Sequence, residues 1–401
     1  MKVLQVNSVC GRGSTGRIAV DLYRTLEENG DECRIAFGRG QAPQGIDTIR
    51  IGSNLTTVTH AGLACITDRS GFYSTTATKA MIKEMKSWNP DIVHLHNIHG
   101  YYLNIEVLFQ ALFEINKPIV WTLHDCWAFT GHCAYFDDAN CSRWRIGCGS
   151  CIQKTRYPPS FVFDSSARNF IDKRNAFLSV SNLTLVTPSE WLASLVNQSF
   201  LARFNTRVIH NGIDLSVFHP VKGIFRESNN IQGRMVLGVA SIWDHRKGLD
   251  HFIKLRSILD PQDVIVLVGL SEWQKRTLPP GMIGIVRTES VQDLVQLYTA
   301  ADIFLNPTLE DNFPTVNIEA LACGTPVITY QTGGSAECLT PECGLAVPKG
   351  DIQGLFSAIM SMPKTPAREE ACISRSFQFS KEQMYTKYAR LYREKAENGP
   401  E

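Results

Sequence analysis

Short apolar runs alternate with longer amphipathic stretches along the first half of the chain. The earliest run, residues 3–9, has the length of a buried strand, and residues 17–29 after it show the apolar spacing of a helix. The same pattern predicts strands at 92–96, 119–123 and 183–187 and helices at 77–88 and 103–115. Alternation of this kind predicts a parallel, doubly wound sheet.

The alternation restarts after residue 214. It predicts strands at 235–239, 264–268, 283–286, 303–306 and 326–329, and helices at 248–259, 291–300, 315–322 and 381–396. We therefore predict an α/β protein of two Rossmann-like domains that face each other across a cleft. Their expected limits are 1–210 and 211–380, with a C-terminal helix, 381–401, that packs back on the first domain.

Composition narrows the class of protein. Forty basic residues nearly balance 39 acidic ones, so no strong field is available to hold a nucleic acid. No stretch of about 20 uncharged apolar residues predicts a membrane span, and the first residues lack the apolar run of a signal peptide. We therefore expect a cytoplasmic protein whose twelve cysteines are reduced unless they bind metal.

Two acidic residues stand close together in the second half. Asp311 lies in the loop after the strand 303–306, and Glu319 follows eight residues later, about two turns along the next helix. Both carboxylates can then face one cleft, because ligands of such sheets bind beyond the carboxyl ends of the strands. The free N–H groups in the first turn of that helix can hold phosphate or sugar oxygens.

This stretch, with its acids followed by Ala322-Cys-Gly-Thr-Pro-Val327, resembles the signature of the retaining glycosyltransferases of family 4. That family usually has Glu at the position of Asp311. The resemblance extends over nearly the whole chain, because three further family elements occur in order. They are Asn211-Gly-Ile-Asp214, Lys247-Gly248, and Gly333-Gly334 with Glu337.

The resemblance implies a GT-B fold and roles for individual residues. Asp311 and the amides of Asn312 and Phe313 would hold the hydroxyls of the donor sugar, Glu319 would hold the nucleotide ribose, and Lys247 would bind the diphosphate. A lysine charge there stabilises the negative charge that develops as the glycosidic bond breaks. Without the family context, Glu319 and Lys247 would be read as ordinary surface residues.

One element departs from the family pattern. The family usually has an arginine five or six residues before the lysine, where this chain has Ser241 and Ile242. Arg246 is a candidate for the missing charge because a guanidinium binds phosphate through two hydrogen bonds. The alternative is that Arg246 points into solvent.

Histidines mark the strand ends of the first half. His124 and Asp125 end the strand 119–123, where the resemblance implies that His124 contacts the donor sugar near its reacting carbon. A core histidine that Asp125 orients is the alternative. His94 and His96 share one face of the predicted strand 92–96, a spacing compatible with metal binding, and His99 follows that strand. Because the family has such residues without a metal, we interpret all three as structural or acceptor-side residues.

The loop after the first strand contains Gly11, Gly13 and Gly16, a loose match to a dinucleotide fingerprint without its acidic partner. In the family, this loop approaches the donor phosphates and the acceptor. We therefore include Gly13 and Gly16 among the donor-binding candidates.

Four cysteines lie within nineteen residues of the first half, and the last two have the spacing of a zinc knuckle. They are Cys133, Cys141, Cys148 and Cys151. The segment resembles one in transferases of bacterial exopolysaccharide, colanic acid and O-antigen synthesis. A structural zinc is the preferred interpretation, with free thiols or a disulfide as the alternatives.

The resemblance implies hexosyl transfer, with retention, from a UDP- or GDP-sugar to a glycan or undecaprenyl-linked oligosaccharide. It implies no catalytic metal, and it allows peripheral contact with the inner membrane. Three alternatives are another GT-B enzyme such as a phosphorylase or sugar-nucleotide epimerase, a glycoside hydrolase, and a binding or assembly protein with impaired catalysis. A hydrolase places its two carboxylates on opposite walls of a cleft, whereas Asp311 and Glu319 share one loop and helix.

Overall fold

A computed structural model of the chain describes residues 1–398. These residues form two compact units, of which the second comprises His210–Met384. The first comprises Met1–Ile209 together with the chain from Tyr385 onward. Of the predicted C-terminal helix 381–401, residues 399–401 lie outside the described part.

The first unit is built on seven parallel strands. They are β1 (Lys2–Val9), β2 (Glu32–Arg39), β3 (Thr48–Arg50), β4 (Ile92–Leu95), β5 (Ile119–Thr122), β6 (Leu183–Thr187) and β7 (Asn205–Val208), in the sheet order β3-β2-β1-β4-β5-β6-β7. The helices are α1 (Gly13–Glu28), α2 (Asn54–Thr67), α3 (Thr75–Trp88), α4 (Ile105–Ile115), α5 (Ser166–Phe177) and α6 (Glu190–Val196). β4, β5 and β6 are buried along their whole length, as expected for central strands covered on both faces.

The second unit repeats this plan with six parallel strands. They are β8 (Met235–Val239), β9 (Val264–Val268), β10 (Met282–Ile285), β11 (Ile303–Asn306), β12 (Val327–Tyr330) and β13 (Gly344–Val347), in the sheet order β10-β9-β8-β11-β12-β13. The helices are α7 (Phe225–Ser228), α8 (Leu249–Arg256), α9 (Glu272–Arg276), α10 (Val291–Ala300), α11 (Thr315–Ala322), α12 (Ile352–Ser361) and α13 (Pro366–Ser376). Two doubly wound sheets confirm the predicted fold class.

The last helix, α14 (Lys381–Asn398), begins in the second unit and continues into the first. Its start is fixed by the Asn-Gly-Ile-Asp element: the Lys381 N–H donates to the carbonyl of Ile213 at 2.8 Å, and the Lys381 ammonium pairs with Asp214. A Cβ on Gly212 would stand 2.6 Å from the Ser380 carbonyl oxygen. This element therefore needs glycine because two chain segments pass very close together.

Four predicted helices begin at other residues than expected. α3 and α4 begin two residues from their predicted starts, at Thr75 and Ile105, and the shifts of α1 and α8 involve glycines. α1 begins at Gly13 rather than at residue 17, because glycine is tolerated in a first turn whose N–H groups have no helical acceptor. α8 begins at Leu249, directly after Gly248, whose φ of +75° ends the preceding 3₁₀ turn. An added Cβ there would lie 2.3 Å from the carbonyl oxygen of Pro307, so only glycine fits.

Candidate functional site

The candidate residues fall into two groups, one in each unit. The histidine cluster of the first unit consists of His94, His96, His99, His124 and Asp125. The acidic-loop cluster of the second unit consists of Arg246, Lys247, Asp311, Glu319 and the buried Tyr298.

A chain of hydrogen bonds runs through the histidine cluster from the middle of β1. Gln5 lies beside His94 in the register of β1 and β4, and its amide Nε2 donates to the Ala19 carbonyl at 2.9 Å. Its Oε1 therefore accepts from His96 Nε2 at 3.0 Å, which leaves His96 Nδ1 as an acceptor. His124 Nε2 then donates to that nitrogen at 3.3 Å. The network thus assigns the lone pair of a neutral His124 to Nδ1.

The far side of the histidine cluster is completed by the C-terminal helix. Tyr392 of α14 bonds His94 Nδ1 at 2.5 Å, and Tyr388 bonds Thr122 at 2.9 Å. Thr122 in turn bonds His94 Nε2 at 2.8 Å. These buried contacts fix His94 as a structural residue.

Burial keeps these imidazoles neutral. It lowers the pKa of His124 to about 4 and holds the pKa values of His94 and His96 well below the usual histidine value. Asp125 opposes this effect at His124, but its negative charge does not outweigh burial. His124 can therefore act near neutral pH only as an uncharged ring or through its main-chain carbonyl.

We expect acid to destabilise the first unit through these histidines. Their pKa values are lowered in the folded state, so unfolding takes up protons, and stability falls as the pH drops below about 6.5 by up to about 1.4 kcal/mol per pH unit for each group. Thermal denaturation as a function of pH measures this effect. His94→Gln should flatten the acid side of the profile, whereas His219→Gln, at an exposed position, should not. Superposable profiles for wild type and His94→Gln would contradict the assignment.

Asp125 forms its histidine pair with His99. Its Oδ2 lies 2.9 Å from His99 Nε2, and its Oδ1 accepts the Trp127 N–H at 2.9 Å. His99 Nδ1 lies 3.3 Å from the hydroxyl of Tyr157. Asp125 was expected to pair with a histidine. The histidine that it contacts is His99, 26 positions earlier in the chain and beside the end of β4.

The four cysteines of the long loop line one small cavity together with Trp144. The thiols of Cys133 and Cys151 are hydrogen-bonded to each other, and the Gly131 N–H donates to Cys148 Sγ at 3.1 Å. Within residues 1–398, however, no three histidine, cysteine or acidic side chains are grouped closely enough to hold a metal ion. The four cysteines line the same cavity, but they do not form a ready-made zinc site. The zinc hypothesis therefore stays a prediction.

In the acidic-loop cluster, Lys247 and Asp311 form an ion pair. The ammonium lies 2.6 Å from Asp311 Oδ2, and the two side chains are 19% and 13% exposed. Lys247 ends a short 3₁₀ turn that Asp244 caps, and Gly248 redirects the chain into α8. The loop and the turn thus bring together two residues that lie 64 positions apart.

Arg246 contacts the acidic loop from the same turn. Its guanidinium donates to the Glu310 carbonyl at 3.1 Å, and its own carbonyl accepts the Leu309 N–H at 2.8 Å. The side chain is 31% exposed. Arg246 therefore supports the backbone of the loop that contains Asp311, and its role toward phosphate stays a prediction.

The Gly-Gly-Glu element shapes the same loop. Gly333 has a φ of +54°, and an added Cβ would stand 1.7 Å from the Asp311 carbonyl oxygen, while the Gly334 N–H donates to the Asn312 carbonyl at 3.0 Å. Glu337 lies 3.3 Å from His210 Nε2. The two glycines thus contact the carbonyls of Asp311 and Asn312, which belong to the same peptide units as the candidate donor-binding amides of Asn312 and Phe313.

Glu319 is oriented from inside the unit. Tyr298, fully buried on α10, donates its hydroxyl hydrogen to Glu319 Oε2 at 2.9 Å. The partially exposed carboxylate lies on the second turn of α11. Tyr298 was not predicted from the sequence, because nothing distinguishes it there from an ordinary core aromatic residue.

Of the glycine candidates, Gly16 has a packing role. An added Cβ on Gly16 would stand 3.0 Å from a methyl group of Val9, so its lack of a side chain lets α1 approach β1. Gly13 begins α1 with a φ of +64° and open space around it. Contact of either glycine with a donor stays a prediction.

Two family models match the chain. One, described as Glycosyltransferase Family 4, matches residues 15–217, and the other, described as Glycosyl transferases group 1, matches residues 233–364. A provisionally named colanic acid biosynthesis glycosyl transferase, WcaC, of Escherichia coli strain K12 is 25% identical over 98% of this chain and 99% of its own length.

Solved structures show the same architecture. Sucrose-phosphate synthase from Thermosynechococcus elongatus superposes with a TM-score of 0.71 at 19% identity, covering 98% of each chain. HepE of Anabaena, in complex with UDP, superposes with a TM-score of 0.69 at 16% identity over 98% of this chain and 99% of its own. At these identities the likeness shows the fold alone.

Proposed function

This chain belongs to glycosyltransferase family 4, and on that premise we propose that it transfers a hexosyl unit, with retention, from a nucleotide diphosphate sugar to a hydroxyl of a glycan or lipid-linked glycan. The observation that carries the proposal is the acidic-loop cluster, in which Lys247 and Asp311 lie 2.6 Å apart and Glu319 follows on the same loop and helix. Synthesis of a bacterial surface polysaccharide is the proposed setting, which the name of the Escherichia coli relative supports.

The charge of each residue in the acidic-loop cluster indicates which part of the donor it would bind. The Lys247 ammonium would bind the diphosphate and stabilise the charge that builds on the leaving phosphate. Asp311 would then accept hydroxyl hydrogens of the sugar, with the amides of Asn312 and Phe313 as donors, and Glu319 would accept those of the ribose. In the structure Asp311 pairs with Lys247, so donor binding would exchange this ion pair for two contacts with the donor.

Retention needs no side-chain base in this proposal. The bond from the anomeric carbon to the phosphate oxygen breaks, a bond to the acceptor oxygen forms on the same face, and the acceptor proton passes to the leaving phosphate. His124 would contribute a neutral ring or its carbonyl near the positive charge that develops on the sugar. Its lowered pKa fits this role, because a protonated ring would oppose that charge.

A panel of UDP- and GDP-sugars tests the function. We expect one donor to raise the melting temperature and to release its nucleotide diphosphate slowly without acceptor. The product anomer, determined by NMR, then tests retention. UDP is a reasonable first choice because HepE was solved with it. Formation of sugar 1-phosphate from a glycan and inorganic phosphate, epimerised donor, or no product from any donor would favour the phosphorylase, epimerase or binding-protein alternatives, respectively.

We also propose that the cysteine loop acquires a structural zinc when its four thiols close on the ion. Its support is that Cys133, Cys141, Cys148 and Cys151 line one cavity, since thiolates bind zinc tightly. Untagged protein prepared without added zinc should contain about one zinc per chain. Cys148→Ser should lose the metal, whereas Cys65→Ser, a cysteine outside the loop, should keep it. Wild-type protein that is purified without bound zinc and is as stable as protein supplied with zinc would contradict the proposal.

A further inference from the structure

Arg39, the last residue of β2, carries a positive charge that the protein leaves unpaired. Its side chain is partly buried, and its Nε atom is buried without a hydrogen-bond acceptor among the residues that the structure describes. By contrast, Arg34 of the same strand pairs with Asp47 at 2.7 Å. Within residues 1–398, no acidic side chain forms such a pair with Arg39. A partly buried cation without an anion is costly, so this position needs an explanation.

Arg39 lies at the edge of the first sheet where ligands are expected. β2 and β4 flank β1, and Arg39 stands opposite Val9, the last residue of β1. The segment that follows β4 contains His99 and Gly100. Since ligands of parallel sheets bind beyond the carboxyl ends of the strands, the unpaired guanidinium lies on the functional edge of the unit.

The turn after β4 leaves room beside this guanidinium. Gly100 has a φ of +109°, and an added Cβ would stand 3.4 Å from Arg39 Nη2 and 3.3 Å from the Cβ of Ser8. Tyr101 follows with a φ of +70°, a left-handed conformation that is unusual for a large side chain. Backbone of this kind is concentrated at binding sites. Gly100 thus keeps clear a space that any other residue would fill.

Tyr157 connects the surroundings of Arg39 with the histidine cluster. Burial raises the pKa of Tyr157 to about 12, and the positive charge of Arg39 opposes that rise. The Tyr157 hydroxyl lies 3.3 Å from His99 Nδ1. Asp125, the acid of the cluster, is already bonded to His99 and to the Trp127 N–H. The charge of Arg39 is therefore available to a ligand that reaches the candidate acceptor-side residues.

We propose that Arg39 binds the carboxylate of an acidic sugar in the acceptor glycan. The planar guanidinium matches a carboxylate through two parallel hydrogen bonds, and the partly exposed side chain can be reached from solvent. A small turn of the group would then give Nε its acceptor. One guanidinium balances one negative charge, whereas a diphosphate carries more charge and would be repelled more strongly by the nearby Asp125.

This inference rests on the proposed function and gives it a substrate class. A neutral glycan would leave the partly buried Arg39 unpaired, and a site that is built to bind a polar group discriminates strongly against analogues that lack it. We therefore expect the enzyme to prefer an acidic acceptor over its neutral counterpart, in which a hydroxymethyl group replaces the carboxylate.

NMR of the arginine Nε–H groups of the full chain tests the binding directly. The Arg39 signal is assigned by its loss in Arg39→Gln, and methyl glucuronide and methyl glucoside serve as probes. Methyl glucuronide should shift this signal, and methyl glucoside should not. Arg39→Gln should weaken binding of the glucuronide about tenfold or more, whereas Arg39→Lys should retain part of it. Arg24→Gln, at an exposed position on α1, is the matched control and should bind like wild type.

Two further titrations, with inorganic phosphate and with UDP, identify other anions. A response of the Arg39 signal to either of these and not to the glucuronide would assign Arg39 to a phosphate group, and would overturn the proposal. An equal response to both methyl glycosides, or to neither, would overturn it as well. Melting temperatures show whether the Arg39 variants fold. Release of nucleotide diphosphate by the wild type without acceptor tests the transferase function separately, so the failure of one proposal is distinguishable from the failure of the other.

Discussion

Replacement of Lys247 by alanine is expected to lower kcat/KM for the donor about 100-fold or more, with the fold intact. The ammonium is the charge assigned to the diphosphate, and its effect grows as the leaving group becomes more negative. Steady-state kinetics over a range of donor concentrations measures the loss. Lys254→Ala, which removes an exposed lysine from α8, should be close to wild type.

The ion pair with Asp311 requires a second variant. Lys247→Ala leaves a carboxylate that is only 13% exposed without its cation, so a purely structural effect would also reduce activity. The double variant Lys247→Ala with Asp311→Asn removes both charges. Asp311→Asn alone is the reference, because Asp311 is itself assigned to the donor sugar. Equal activity of the double variant and Asp311→Asn would show that Lys247 acts only by neutralising Asp311. A further loss in the double variant is the expected result, because the diphosphate still lacks its cation.

Glu319→Ala is expected to reduce kcat/KM for the donor about 10- to 100-fold, mainly through a higher KM. A carboxylate that accepts ribose hydroxyls binds the substrate and the transition state about equally, and such hydrogen bonds contribute about 1.5–3 kcal/mol. Initial rates at low and saturating donor separate the two parameters. Glu370→Ala, at an exposed position on α13, is the matched control, and wild-type KM in Glu319→Ala would refute the ribose assignment.

A variant of Tyr298 distinguishes the binding role of the Glu319 carboxylate from the effect of the hydrogen bond that positions it. Tyr298→Phe removes the 2.9 Å hydrogen bond while keeping the buried ring. If Tyr298 only orients Glu319, this variant should raise the donor KM by less than Glu319→Ala does. The double variant should then resemble Glu319→Ala alone.

Local signals in the sequence were sufficient for much of the fold. α10 and α11 span the predicted residues, because Ser290 caps the first and a glycine follows the second. The start of α1 was predicted four residues late, since glycines at Gly13 and Gly16 were interpreted as loop. Helix starts are weakly specified where the backbone N–H groups need no partner within the helix.

Long-range pairings were not predictable from local pattern. Lys247 and Asp311 were both identified, but their ion pair depends on how the 3₁₀ turn and the acidic loop lie in the folded unit. Tyr392 and His94 are separated by 298 positions. Tyr388 and Tyr392 did carry a faint signal, since they are spaced four apart on one face of an otherwise charged helix.

The order in which the chain is synthesised matters for the first unit. The ribosome releases residues 1–209 early, yet Tyr388 and Tyr392, which bond Thr122 and His94, emerge only after the second unit has been made. The whole of residues 210–384 is made in between and can fold as a contiguous segment. Until Tyr388 and Tyr392 have been made, the nascent first unit exposes Thr122 and His94, which are buried in the folded unit, so we expect it to be the part that chaperones protect. A truncation after residue 384 should be strongly damaging, because it removes both tyrosines from the first unit.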